Sequence, residues 1–396
     1  MRRLSLALLF ALQVPALSAE EAGFEACLAD LQAQARSRGL APWIVDELIP
    51  SLEQQPRVIE LDRQQPEFVQ TFERYFNARV TQQRVARGRE LYEKHHDFLD
   101  ALTRQYGIPG HYLVAFWGLE TNFGGYLGNT PTLDSLATLA CDQRRSKFFT
   151  SELMTALGLV ERDGLDPATM RGSWAGAMGH TQFMPSTYRR AAVDGDGDGR
   201  IDLWGSPRDA LASGARFLQQ LGWERGLRWG REVRLPAGFT YADAGLENAR
   251  PLAEWAEAGV LRADGRRLPA VALKGAILVP AGHEGPAFLV YQNFHVIMGW
   301  NRSEFYALAV GHLADRIAGA GKLYNPPPRQ TALTRDDVSA MQRALAAAGH
   351  DPGGSDGILG PATRRALRGF QSDAGLIADG YPDADTLAAL SSRATP

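Results

Sequence analysis

A glutamic acid that donates a proton near neutral pH must first keep it, and a sequence arranges this by surrounding the carboxyl with apolar groups. Glu120 is so placed. It closes the run Val114-Ala115-Phe116-Trp117-Gly118-Leu119 and is followed by Thr121-Asn122-Phe123-Gly124. A helix through this run sets Phe116, Trp117, Phe123 and Gly124 at three- or four-residue spacing from Glu120, where they desolvate it and raise its pKa. A helix-end glutamate that merely follows a core stripe has the same pattern, and the run alone does not separate the two. A second constellation runs from Gly172 to Tyr188, with glycines interleaved among Trp174, Met178 and Phe183. Such glycines suit a loop into a helix where a ligand or another backbone comes very close. Ser173 and Gln182 are natural hydrogen-bond donors there to a neutral ligand such as a sugar; tight packing through small residues is the competing reading.

The third signal is acidic. In Asp194-Gly195-Asp196-Gly197-Asp198-Gly199-Arg200-Ile201-Asp202 the first two-thirds of an EF-hand calcium loop are present, with Arg200 offering only its backbone carbonyl. The pattern then fails, because Gly205 stands where the bidentate glutamate belongs, and a solvated acidic turn is the alternative. His95-His96 lacks a third ligand and reads as a helix surface pair. His180, inside the glycine-rich run, reads equally as a groove residue or a packed one. No nucleophile elbow, His-Glu-x-x-His pair or phosphate-binding glycine loop is present, which argues against an esterase, a zinc peptidase or a nucleotide enzyme.

These residues need a frame. From Phe24 to about Gly222 the apolar spacing is helical, with segments 24–36, 82–106, 112–123 and 147–162 separated by Gly or Pro. Between about 230 and 292 the texture becomes strand-like, as in Ala287-Phe288-Leu289-Val290-Tyr291, and helical spacing returns at Ser303. A β-rich insertion therefore interrupts one helical domain. Asn325-Pro326-Pro327-Pro328 predicts an extended spacer over 325–332. Beyond it, a small helical domain over 333–393 carries an internal echo: Asp356-Gly357 precedes Thr363 as Asp379-Gly380 precedes Thr386.

Residues 1–19 form a secretory signal, with Arg2-Arg3, the apolar run Leu4 to Leu12 and small residues before Glu20. The run is shorter than the roughly 20 apolar residues of a membrane span, and no cysteine stands at the cleavage point to carry a lipid. A soluble periplasmic protein without a membrane anchor is expected. Cys27 and Cys141 are the two cysteines, and an oxidising compartment permits a disulfide that count alone does not decide. The chain of 396 residues is 45% hydrophobic and 22% charged with a formal charge of -3, the balance of a globular protein with no basic run for nucleic acid.

The motif Glu120-Thr-Asn-Phe-Gly, then Ala175-Gly-Ala-Met-Gly-x-x-Gln-Phe-Met-Pro-Ser, then Asn293-Phe294 and Asn301-Arg302-Ser303-x-x-Tyr306-Ala307, resembles the lytic transglycosylase B family across nearly all of Phe24 to Leu323. The resemblance implies a mainly α fold: a lysozyme-like catalytic domain over 20–324 with its small β-rich insertion, acting on bacterial peptidoglycan. It implies Glu120 as the catalytic acid and Ser173, Gln182, Asn301 and Tyr306 on the substrate groove, with Trp300 and Trp117 as substrate-binding aromatics beside them. Trp300 departs from the family, which often has tyrosine there. The resemblance also supplies Asp209 as the last carboxylate of a lengthened calcium loop with Asp194, Asp196, Asp198 and Arg200, a structural Ca2+ and no catalytic cofactor. Residues 333–393, with Gln342, Leu345, Gly349, Phe370-Gln371 and both Asp-Gly pairs, resemble a three-helix peptidoglycan-binding domain.

Hydrolytic glycosidases generally need two carboxylates, whereas one stands out here. That agrees with the reaction the resemblance implies, non-hydrolytic cleavage between N-acetylmuramic acid and N-acetylglucosamine, giving 1,6-anhydromuramic ends. A hydrolytic muramidase and a non-catalytic wall-binding scaffold are the alternatives. Partners among cell-wall synthesis or division proteins stay open.

Overall fold

The computed structural model describes residues 19–64 and 70–393, so the expected signal lies outside the described residues except for Ala19. The chain folds as two compact units, one from the described residues up to Arg63 with 128–177 and 184–186, the other from 70–127, 178–183 and 187–393.

In the first unit helix Thr132–Cys141 packs along helix Ser146–Asp163, which buries Phe149, Leu153, Leu157 and Val160. Helix Ala19–Ser37 joins them, and Cys27 is disulfide-bonded to Cys141 with Cα atoms 5.9 Å apart. The pairing left open by the sequence is thus made, closing a loop of sequence separation 114. A short antiparallel pair, β1 (Thr130–Pro131) and β2 (Arg171–Gly172), ties the start of the glycine-rich run to this unit. A Cβ on Gly172 would come within 2.0 Å of the Ala177 carbonyl oxygen, so here the glycine serves backbone-on-backbone packing. Glu152, 4% exposed, accepts both the backbone N–H and the hydroxyl of Ser186, at 2.9 and 2.7 Å.

The second unit is built around helix Gly110–Thr121, whose apolar residues run all the way round and are buried from Tyr112 to Trp117. Such a helix can only be central. Helix Glu304–Ile317 lies against it, and the rings of Phe72, Trp229, Phe288 and Phe294 complete the core. The expected helix over 82–106 is two, Gln82–Lys94 and His96–Tyr106, parted at His95 where the backbone leaves helical angles. The expected helix to Phe123 ends two residues early, because Asn122, Phe123 and Gly124 turn left-handed with φ of 51°, 61° and 82°. Phe123 therefore does not reach Glu120's neighbourhood by helical spacing; its ring folds back onto Gly118 and meets Trp117 edge-on at 5.9 Å.

The insertion is an antiparallel sheet of β3 (Gly230–Arg234), β4 (Arg250–Pro251), β5 (Leu261–Arg262), β6 (Lys274–Leu278) and β7 (Ala287–Val290), in the order β4-β6-β7-β3-β5. Its central strands are buried on both faces, with the alternation that a pleated strand requires. Ala276, Leu278, Phe288 and Val290 face the main core, and Ile277 and Leu289 face a second cluster around Trp255.

Three C-terminal helices, Arg335–Ala347, Pro361–Asp373 and Ala384–Arg393, enclose Met341, Leu345, Leu367, Phe370 and Leu390. The proline-rich segment before them is not a free spacer. Glu232 accepts the backbone N–H of Tyr324 and Asn325 at 2.8 and 2.7 Å, Asn325 Nδ2 donates to the Gly285 carbonyl at 2.7 Å, and Gln330 Nε2 donates to Ala281 at 2.8 Å. Proline removes backbone donors but not side-chain ones, and Asn325 and Gln330 supply these on either side of the prolines.

Candidate active site

Glu120 stands on the last turn of helix Gly110–Thr121, half-buried. Its Oε1 accepts the Tyr306 hydroxyl, and the Trp300 indole bonds to the same carboxylate. Tyr306 is placed by the start of its helix, where the Ser303 hydroxyl oxygen caps the Tyr306 N–H at 3.3 Å. Trp300 ends helix Gln292–Trp300 and is held by rings, stacked on Phe116 at 4.4 Å and tilted against Phe183 and Phe217 at 5.2 and 5.3 Å.

Burial pushes the Glu120 carboxyl up to about 7, against the pull of those two hydrogen bonds and the Arg79 charge. Burial, and then the neighbouring Glu120 charge, hold the Tyr306 phenol well above its ordinary value, so it remains a donor. Among the described residues Arg79 is the one charged group that bears on Glu120. The carboxyl opens into a groove of about 900 Å³ lined by Tyr75, Arg79, Met298, Asn301 and Tyr306, and also by Arg364, Arg368 and Tyr381 of the C-terminal helices and their turns. A carboxyl that keeps part of its proton at neutral pH, facing a groove of this size, is equipped for general-acid chemistry on an extended substrate.

Residues 23–315 match the family described as a transglycosylase SLT domain, and residues 334–390 match a peptidoglycan binding domain. The chain belongs to the SLT-domain transglycosylases. It is 35% identical over 258 residues to the membrane-bound lytic murein transglycosylase B of Escherichia coli, covering 62% of this chain and 67% of that protein. The fold matches SltB3 of Pseudomonas aeruginosa, solved in complex with NAG-anhNAM-pentapeptide, with a TM-score of 0.89 and 42% identity over 93% of this chain and 99% of that one. Slt35 of Escherichia coli, solved in complex with calcium, matches with a TM-score of 0.65 and 29% identity over 74% and 92% of the two chains.

In the transglycosylase Glu120, Trp300, Asn301 and Tyr306 lie together, while Trp117, Gln182 and Ser173 are hydrogen-bonded to other parts of the chain. Trp117 is 6% exposed and its indole N–H donates to His180 Nδ1 at 2.9 Å, so it belongs to the packing beneath the site. Gln182 donates its amide to the carbonyls of Leu127 and Gly179, both at 3.0 Å, and lies in a left-handed loop at φ 49°. Ser173 lies in the first compact unit, its hydroxyl oxygen accepting the Ala177 N–H at 3.1 Å. Tyr75 and Arg79 were not singled out from sequence. Tyr75 sits in a helix with Phe72 and Phe76 and looks there like core.

The acidic loop closes through a distant residue. Asp194, Asp196 and Asp209 bring one carboxylate oxygen each to within 4.8 Å of one another. Asp209, on the first turn of helix Pro207–Gln220, also accepts the N–H groups of Gly195, Asp196 and Asp202 at 2.8, 3.3 and 2.7 Å. Asp198 is exposed outside the cluster, its carboxylate taken by the Arg200 N–H at 2.8 Å. Three converging carboxylates on a turn fit a hard, oxygen-seeking cation such as Ca2+.

Proposed function

We propose that this lytic transglycosylase cleaves the β-1,4 bond between N-acetylmuramic acid and N-acetylglucosamine of peptidoglycan with Glu120 carrying both proton transfers. Protonated Glu120 gives its proton to the glycosidic oxygen as the C1–O bond breaks. The Tyr306 hydroxyl and Trp300 N–H, already on the carboxyl, stabilise the carboxylate that forms. Charge building on the sugar is met from within the substrate: the C6 hydroxyl attacks C1, and ionised Glu120 takes the proton that hydroxyl loses. The product is a 1,6-anhydromuramic end, and Glu120 is protonated again for the next turnover. Asn301 and Tyr75 border the sugar path, and the groove's continuation onto the C-terminal helices supports a wall-binding role for residues 333–393 that also shapes the groove.

The observation that carries this reading is a half-buried carboxyl pushed up to about 7 on which, among the described residues, Arg79 is the charged group that bears, while Glu247, Glu304 and Asp379 of the groove lining leave its pKa unmoved. A retaining or inverting hydrolase would place a second carboxylate across the bond. The amino-terminal signal pattern and the Cys27–Cys141 disulfide support export to the periplasm. Asp194, Asp196 and Asp209 would hold a Ca2+ that stiffens their loop, with no part in the bond-breaking step. The test is mass spectrometry of soluble products from isolated sacculi, with Glu120→Gln in parallel. Anhydro-ended products from the unaltered protein alone are expected; reducing ends would make water the nucleophile and overturn the mechanism.

A further inference from the structure

Glu120 sits where a helix gives way to unusual backbone. Asn122 and Phe123 are side-chain-bearing residues in the left-handed region, followed by Gly124, also left-handed. Such conformations persist only where the surroundings over-determine them, and a last helical turn feeding them frays unless something outside holds it. His180 is that hold. Its Nδ1 accepts the Trp117 indole N–H at 2.9 Å, its carbonyl oxygen accepts the Thr121 hydroxyl at 3.2 Å, and its ring lies on Gly124, where a Cβ would come within 2.2 Å of Cε1. It thus touches the chain on both sides of Glu120.

His180 is itself anchored. Its backbone N–H donates to the Leu203 carbonyl at 2.8 Å, and its ring is bonded to the Trp204 backbone. Because Nδ1 accepts, the proton of the neutral ring is on Nε2, toward Trp204. Burial lowers the imidazole's pKa and keeps it neutral. His180 is not among the residues that line the groove.

We infer that His180 is a positioning residue: by accepting the Trp117 N–H it fixes the last turn of the catalytic helix, so that the Glu120 carboxyl stays against Tyr306 and Trp300. The inference rests on Glu120 being the proton-transfer group. Two substitutions in the full chain divide the imidazole's two bonds. His180→Gln keeps a donor at the Nε2 position but has no acceptor for Trp117; His180→Asn places its carbonyl oxygen where Nδ1 was. On soluble glycan fragments, His180→Gln should lower kcat by about tenfold or more with KM within about twofold. It should also move the alkaline limb of the pH profile below about 7, as a loosened Glu120 gains water.

His180→Asn should recover most of kcat and the original limb. A purely structural role would lower the melting temperature of both variants and leave the kcat of folded enzyme and the limb where they were. That result, or equal kcat losses in the two variants, overturns the inference. If His180→Gln does not fold, Trp117→Phe removes the same bond from the other side, and unchanged kcat there is equally decisive against it. Glu120→Gln run alongside separates the two claims: activity in that variant sinks the assignment of Glu120, whereas an inert Glu120→Gln beside a fully active His180→Gln sinks the positioning role alone.

Discussion

Glu120 and Asp379 are two carboxylates withdrawn from water in one compact unit, and their surroundings are opposite. Asp379, 3% exposed, has a partner in every direction: Oδ1 accepts the Tyr381 N–H at 2.8 Å and the Gln371 amide at 3.2 Å, while Oδ2 accepts the His283 N–H at 2.8 Å and lies 2.7 Å from its Nδ1. Glu120 is also withdrawn but has only Tyr306 and Trp300. Desolvation charges an ionised carboxylate a large free energy, and donors return it. Where the donors are too few, the proton is retained and can be given to a substrate. Between these two the difference lies in donors per oxygen, and burial alone would have chosen both.

The largest test of that contrast is Glu120→Gln. Activity on sacculi should fall by at least about a thousandfold, measured as anhydro-ended products. The same variant has a stability signature that a structural acid lacks. A carboxyl whose folded pKa is raised from the ordinary carboxylate range to about 7 favours the fold fully below that range and loses the contribution as pH climbs toward 7. Glu120→Gln, which cannot ionise, should therefore raise the melting temperature at pH 8 relative to the unaltered protein and change it much less at pH 4. Equal shifts at the two pH values would mean that the raised carboxyl is not what strains the fold.

Tyr306→Phe comes next. Its hydroxyl pulls the Glu120 pKa down, so its removal should push the alkaline limb of activity further above 7. It also removes a donor to the carboxylate formed in the first step, at a cost of roughly ten- to a hundredfold in kcat. An alkaline limb that moves down instead would assign the bond the opposite role.

Much of this was legible before any coordinates. The apolar helix, the sheet between helical segments and a small helical domain at the C-terminus follow from periodicity, since a helix without a polar face has to be central and strands buried on both faces read as short apolar runs; that this domain has three helices comes from the resemblance. What escaped depends on contacts between residues far apart in sequence. Trp117 looked like a groove aromatic because its type suits sugar, yet its N–H is committed to His180 across a separation of 63 residues. Gln182 has the chemistry of a sugar ligand, but two carbonyls claim its amide. The proline run reads as an extended spacer because it cannot continue a helix, and what it does not announce is that acceptors on Glu232, Gly285 and Ala281 strap its flanks. After Glu120, Asn122 is of a type that often ends a helix left-handed, but nothing in Phe123 announces that the left-handed backbone continues.

The smallest effects sharpen the contrast within the C-terminal helices, where the internal echo proves to be a repeated hydrogen-bond pattern. Gln342 binds Asp356 Oδ1, the Ile358 carbonyl and the Thr363 hydroxyl, and takes the Gly357 N–H. Gln371 does the same with Asp379, Tyr381, Thr386 and Gly380. Only the second oxygen differs, because Asp379 Oδ2 is joined to His283 of the segment between β6 and β7. Asp379→Ala should then cost about 3 kcal/mol, leaving buried donors on both sides of the junction without an acceptor. Asp356→Ala, at an exposed turn where water replaces the lost acceptor, should cost about 1 kcal/mol. The measurement is chemical unfolding of both variants, with hydrogen exchange at residues 282–285. Protection there should fall in Asp379→Ala and stay unchanged in Asp356→Ala, since the two aspartates make the same bonds to their glutamine and turn and only Asp379 reaches His283. Equal costs and equal exchange would mean that the shared pattern around each glutamine supplies the stability and that the bond to His283 adds nothing.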